Sequence, residues 1–352
     1  MFITGLGTSI PPHRYTQREC YEALQTSGLF ATLQPRSRSI LRKVLLGNNG
    51  IEARHLALNS IAEGLDLNPD TLHHRFAHHA PLIAAQAAER ALNNAHCKAS
   101  DIDAVVISTC TGYLCPGLTS YVAERLALPA NVLALDLVGQ GCGAAIPNWR
   151  TAEALLAGDR ANKVLSVCVE VCSAATYFDD DPGVLISNCL FGDGAGAAVW
   201  SRNPAEHSRR MEWKGAASVL KPAQRDELRF EQRGGLLRNI LKPEVPAMAA
   251  DAAAEVLEQA LTKSSVSREA IRGWMMHPGG RDVLKALRQK LNLDPDDLQW
   301  SAEVLREYGN MSSASLYFAL QRALAGGASG GWWWLCSFGA GFSCHGALLQ
   351  VQ

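Results

Sequence analysis

Cys142 sits between two glycines in VGQGCGAAIPNWR (138–150), where a strand pattern runs into a helix pattern. A structural cysteine packs inside an element as a small hydrophobe and needs no such neighbours. A nucleophile does: glycines let other groups approach closely, so here they are expected to clear space for a thioester. A helix N-terminus and a neighbouring imidazole both lower a thiol's pKa. Pro147 falls in the first turn of that helix, where proline is tolerated. Two further residues have matching contexts. His277 lies in WMMHPGG, where an apolar strand breaks into a turn, and Asn310 lies in YGNMSSAS, ahead of the helix LYFALQRALA. A neutral imidazole N–H and an amide N–H can each donate to a carbonyl or enolate oxygen. Taken singly, each residue also has an ordinary reading: a structural thiol, a turn histidine, a helix cap.

The elements that must position these residues alternate. APLIAAQAAERALNNA (80–95), YVAERLAL (121–128) and AIPNWRTAEALLAG (145–158) read as helices, and IDAVVIS (102–108), NVLALDLVG (131–139) and NKVLSVCVEV (162–171) as strands. The region before about residue 80 is polar and helical in pattern. This alternation predicts a layered α/β fold. An internal echo at an offset of 169 residues sets ALNNAHCKASDIDAVVIS (from 91) on ALTKSSVSREAIRGWMMH (from 260). AEALLAG (152–158) then falls on QRALAGG (321–327), and NKVLSVCVEV on GWWWLCSFGA (331–340), with no gap. Identity is low, but register held across three strand–helix units points to a duplication. The expected halves are 1–205, carrying Cys142, and 206–352, carrying His277 and Asn310, with the seam in SRNPAEHSRR (201–210). At this offset Ser108 is equivalent to His277, Gly141 to Asn310 and Glu170 to Gly339. The carboxyl ends of equivalent strands converge around a pseudo-twofold axis, and ligands bind there. The three candidates are therefore expected in one site.

Composition narrows the class. A 352-residue chain, 47% hydrophobic and 19% charged, has ample core, and a net charge of −1 argues against nucleic acid or an anionic membrane as partner. No apolar run reaches the roughly 20 residues of a membrane helix, and MFITGLGTSIPPHR does not read as a secretory leader. Ten cysteines, mostly inside apolar runs, fit reduced thiols in the cytoplasm. No metal is expected: the pairs His73-His74 and His78-His79 sit on a polar helix, and Cys110, Cys115, Cys168 and Cys172 lack zinc-knuckle spacing. Asp179-Asp180-Asp181 reads as a solvated turn and Trp332-Trp333-Trp334 as a buried strand. RSRSILRK (36–43) with Arg54 reads equally as a landing site for phosphates or as a solvated helix face. The loop Ser337–Gly341 reads either as a source of backbone donors for an oxyanion or as a tight hairpin.

In combination the motifs resemble those of the type III polyketide synthases, the chalcone-synthase-like branch of the thiolase-fold condensing enzymes. The carrying stretches are GQGCGAA with Cys142, NCLFGDGAGAAV with Phe191, MHPGGRDVL with His277 and Gly279, YGNMSSAS with Asn310, and SFGAG (337–341), in family order. The resemblance spans residue 80 to the end and implies a thiolase-like αβαβα fold of two duplicated halves. It implies a homodimer that uses no metal or organic cofactor. It also implies a cycle in which Cys142 takes an acyl group from CoA. His277 and Asn310 then hold the malonyl-CoA carbonyl as decarboxylation yields an enolate, which attacks the acyl-cysteine.

The chain departs from the family pattern around the cavity. SFGAG loses a proline of the family loop, with Phe338 and Gly339 retained. Phe191 keeps one gatekeeper, while Arg238 stands where plant enzymes have the second, which suggests contact with CoA phosphate or a carboxylate. Plant cavity threonines correspond to Cys110, Thr111, Cys172 and Ala175, and Cys115 replaces a methionine that enters the partner's cavity. These small, apolar side chains predict room for a fatty acyl starter and alkylpyrone or alkylresorcinol products. The alternative is one condensation per cycle, as in ketoacyl-ACP synthase III, with acyl-ACP as donor. A catalytically dead partner subunit would lack one of the three residues, and none is missing.

Overall fold

The computed structural model describes residues 1–205 and 209–352. The first half contains β1 (Phe2–Ser9), β2 (Arg14–Thr16), α1 (Gln17–Gln25), α2 (Gly28–Thr32), α3 (Pro35–Leu46) and β3 (Ala53–His55). It continues through α4 (Pro69–Asn94), β4 (Ala104–Thr109), α5 (Leu118–Leu126) and β5 (Leu133–Val138). The half closes with α6 (Ala145–Ala157), β6 (Lys163–Glu170), α7 (Pro182–Leu190) and β7 (Gly194–Ser201). The second half has β8 (Met211–Leu220), the hairpin β9 (Leu228–Arg233) and β10 (Leu236–Leu241), α8 (Val245–Ser264) and β11 (Ile271–Met276). After these come α9 (Arg281–Lys290), α10 (Gln299–Tyr308), α11 (Ser315–Ala325), β12 (Gly331–Gly339) and β13 (Ser343–Val351).

Nine strands form one mixed sheet in the order β11-β12-β13-β8-β1-β7-β6-β4-β5. Outward from the β1–β8 junction the two wings repeat one pattern: two antiparallel pairings, then parallel ones. The junction is brief, Phe2 opposite Glu212 and Ile3 opposite Met211. Fully buried strands such as Val164–Glu170 and Trp333–Gly339 are mostly apolar on both faces because helices cover both. One core cluster joins α6 (Trp149) and α11 (Tyr317) to strands of both wings. A second packs α8 and α9 on the outer face of one wing, and a third packs α4 and α5 on the other. The result is five layers, helix–sheet–helix–sheet–helix, as the thiolase-like expectation required.

At the offset of 169, β4 lands on 273–278, α6 on 314–326 and β6 on 332–339, close to β11, α11 and β12. The echo has limits. Residues 133–138 map onto 302–307, which belong to α10, so β5 has no counterpart and forms a half-exposed edge. The polar, helical reading of the first 80 residues missed β1, a buried central strand. Its glycines are small because α4 lies against it: a Cβ on Gly5 would sit 2.1 Å from the Ala91 carbonyl oxygen. The expected seam at 205/206 borders residues 206–208, which lie outside the described residues.

Candidate active site

Cys142 occupies a 3-10 turn, Gly141–Gly143, between the end of β5 and the start of α6. Gly141 has φ of +55°, and a Cβ there would meet the Ala340 backbone nitrogen at 2.8 Å. Gly143 and Gly339 face each other so closely that a Cβ on Gly339 would lie 2.3 Å from the Gln140 oxygen and 2.5 Å from the Gly143 nitrogen. Ser337 Oγ donates to the Gly143 carbonyl at 3.0 Å. The glycines therefore serve backbone apposition between the halves, a correction to their reading as space for substrate. Residues 337–341 are the end and turn of the β12–β13 hairpin and form the wall behind the Cys142 turn.

A chain of contacts links the candidates across the halves. Ser312 Oγ donates to Cys142 Sγ at 3.2 Å, and the Ser312 N–H donates to Asn310 Oδ1 at 2.8 Å. Asn310 Nδ2 donates to the Gly279 carbonyl at 3.1 Å, so both ends of the amide are fixed. The Gly279 N–H reaches back to the His277 carbonyl at 3.0 Å, and the His277 N–H donates to the Cys336 carbonyl at 2.8 Å. The His277 ring meets Phe338 edge to face, centroids 5.2 Å apart. An isolated bridge pairs Phe191 with Asn310.

The electrostatics differ from the sequence expectation. Burial pushes the Cys142 thiol up to about 12, against the pull of the Ser312 hydrogen bond. Burial likewise takes His277 down to about 3, and its Nδ1 is buried without a partner. Both groups are neutral at rest, because desolvation penalises either charged form more than the helix terminus or a neighbouring group repays. The lowered thiol pKa expected from the sequence is corrected accordingly.

Sequence reading missed two neighbours. Ser312 joins Cys142 to Cys110, whose Sγ lies 3.3 Å from the same hydroxyl. Glu170 is wholly buried and accepts from Cys110 N at 3.0 Å, Thr111 Oγ1 at 3.0 Å and the Ser313 hydroxyl. Burial raises its pKa against these donors. A signal was available: the duplication set Glu170 on Gly339, at the strand end where the site forms.

A pocket runs from Ser312, Cys110 and Thr111 past Phe191, Cys172 and Ala175. It continues between α1, α3 and the 61–65 turn, lined by Leu24, Leu41, Leu45 and Ile61. Five residues expected to bind substrate do not line it. Cys115, expected at the partner's cavity rather than this one, is exposed. Gly279 and Phe338 serve Asn310 and His277 as described, and Gly339 backs the Cys142 turn. Arg238 is committed within the protein, to Asp179 at 2.8 Å and to Asp181 and Glu231 at 3.2 Å, over the Tyr177 ring. The carboxylates it meets in this structure belong to its own chain. The acidic run is thus no plain solvated turn, since Asp181 also caps α7. Arg54 is buried, with 6% of its surface exposed, and belongs to the pocket wall rather than to an outer patch with residues 36–43.

Comparison with known proteins covers the whole chain. A profile for FAE1/type III polyketide synthase-like proteins matches residues 13–228, and one for the C-terminal domain of chalcone and stilbene synthases matches residues 221–351. Over 360 residues the sequence is 28% identical to 3,5-dihydroxyphenylacetyl-CoA synthase of Streptomyces toyocaensis, covering 99% of this chain and 89% of that protein. It is 26% identical to the alpha-pyrone synthesis polyketide synthase-like Pks18 of Mycobacterium tuberculosis, covering 91% and 82%. The structure matches 1,3,6,8-tetrahydroxynaphthalene synthase from Streptomyces coelicolor A3(2) with a TM-score of 0.90 and 25% identity, covering 100% and 99% of the two chains.

Proposed function

The chain belongs to the type III polyketide synthases, and from that premise we propose that it extends a fatty acyl starter with malonyl-CoA on Cys142, giving alkylpyrones or alkylresorcinols. The observation that carries the choice of starter is the pocket. Beyond the small side chains Cys172 and Ala175, its wall turns to leucine and isoleucine from α1, α3 and the 61–65 turn. Such a wall suits an alkyl tail. A relative named for alpha-pyrone synthesis supports the product class.

In this reading neutral His277 takes the Cys142 proton as the thiol attacks the acyl-CoA carbonyl, and CoA leaves as its thiol. A thiol near 12 requires such help, since almost none is ionised at neutral pH. His277 and the second Nδ2–H of Asn310 then donate to the malonyl thioester oxygen. Carbon dioxide leaves, the enolate carbon attacks the acyl-cysteine carbonyl, and Cys142 departs as leaving group. Donors already fixed by Gly279 and Ser312 need little reorganisation when charge develops. The protein is further proposed to act as a homodimer, joined through the outer edge of β5, where Leu133 is 42% and Val138 56% exposed. Ten free cysteines support a reducing, cytoplasmic setting.

The test is radiolabelled malonyl-CoA with short- to long-chain acyl-CoAs, for wild type, Cys142→Ala and Ala175→Phe. Wild type should give multiply extended products and prefer long starters; Cys142→Ala should give none. Ala175→Phe should shift the ratio of long to short starters by about tenfold or more, as expected for filling an apolar pocket. Single-extension products would replace this reading with that of a ketoacyl synthase, and an unchanged starter ratio would remove the fatty acyl assignment.

A further inference from the structure

Arg54 is a buried cation at the pocket wall whose contacts account for only part of it. It lies on β3, and Nη1 donates to the Asn188 carbonyl at 2.7 Å and the Phe191 carbonyl at 2.8 Å. Those bonds satisfy carbonyls at the C-terminal end of α7, beside the gatekeeper. Nε is buried with no partner. Among the described residues no carboxylate pairs with the guanidinium, and Nη1 is the nitrogen that carries its hydrogen bonds. Its neighbours on the pocket wall include Leu56, Cys172, Cys189 and Phe191, none of them an anion. Removing a guanidinium from water costs several kcal/mol, and two carbonyls offset only part of that. What stays unused is the Nε–Nη2 edge, the flat side that binds two coplanar oxygens at once.

The occupant must reach this edge from the nucleophile, because Ser312, 3.2 Å from Cys142 Sγ, lines the same pocket. A plain alkyl tail offers Arg54 nothing. Each condensation, however, adds a carbonyl two carbons from the last, and the resulting β-dicarbonyl unit presents two coplanar oxygens once enolised. We propose that Arg54 anchors the β-dicarbonyl segment of the growing chain as its enolate, setting how many units are added and which oxygen or carbon is free to cyclise. This rests on the condensing activity proposed above. The alkyl tail lies beyond the anchor, between α1 and α3.

A long-chain β-diketone, added to the wild-type protein without CoA substrates, tests the anchor directly. Its enolate forms by loss of the central C–H proton to buffer water and has its own ultraviolet band. Beside an uncompensated cation the bound dione should ionise about 1–3 pH units below the free compound. Arg54→Gln, checked for folding by its melt, should abolish that shift. In turnover, Arg54→Lys should move the products about tenfold toward single extension, since an ammonium lacks the flat two-donor edge. A dione that ionises at its solution pH in the presence of wild type, or fails to bind, overturns the proposal even if Arg54→Gln does not fold. An absence of labelled polyketide would instead count against the condensing activity, and the dione titration would still read out.

Discussion

At the residue scale the site is quiet until substrate arrives. With the Cys142 thiol near 12 and His277 near 3, the neutral pair dominates across the whole working range. Alkylation of Cys142 by iodoacetamide should therefore rise about tenfold per pH unit from 7 to 9 with no plateau, because only the thiolate reacts. A plateau at neutral pH would reveal an ion pair and sink the neutral-pair account. A second buried imidazole allows a stability test. His345 bonds Ser218 Oγ through Nδ1, and burial lowers it to about 4. Its unfolded form binds a proton below about 6.5 and its folded form only below about 4, so it withdraws stability as pH falls through that window. His345→Gln should flatten the acid limb of a pH–stability curve by about 1.4 kcal/mol per pH unit there. The meeting of Cys142, His277 and Asn310 in one place was legible because their types and contexts are local. The parts played by Ser312, Glu170 and Arg54 were not, since their importance comes from burial and from partners more than 100 residues away.

At the element scale the β9–β10 hairpin and the loop before α7 are held together by one side chain. Arg238 keeps 11% of its side chain exposed while bonding three carboxylates, and its neighbour Asn239 donates to Ser187 Oγ at 3.0 Å. Arg238→Ala would leave those carboxylates facing one another, so stability should fall by about 1–3 kcal/mol. Amide exchange across 228–241 should quicken more than in β12. Equal exchange in both segments would show that the arginine does not hold the hairpin. The hairpin and the Cys142 turn meet other elements by close approach, which propensities do not encode. That is also why β1 escaped notice: FITGLGTS has the glycines that α4 requires and little of the usual strand composition. Gly339→Ala should abolish acylation of Cys142 and lower the melting temperature, since its new methyl would collide with backbone rather than with a movable side chain.

At the scale of the whole molecule, the repeat was legible wherever helices and strands kept their lengths, from β4 to β6 against β11 to β12. It faded where one half gained β5 and the other gained α10. The unmatched strand is the proposed seat of the dimer. Val138→Lys with Leu133→Lys should halve the mass seen in sedimentation; a wild type that already sediments as a single chain would end that proposal. Ten thiols in one chain carry a last consequence. Cys110, Cys172 and Cys189 line the pocket proposed for the acyl chain, and burial raises all three. Burial raises Cys142 in the same way, so what sets it apart in the proposed cycle is His277, which takes its proton. On that reading a thiol whose proton no base removes lets the proposed cargo pass, and the pocket can be lined with sulfur without trapping its own intermediates.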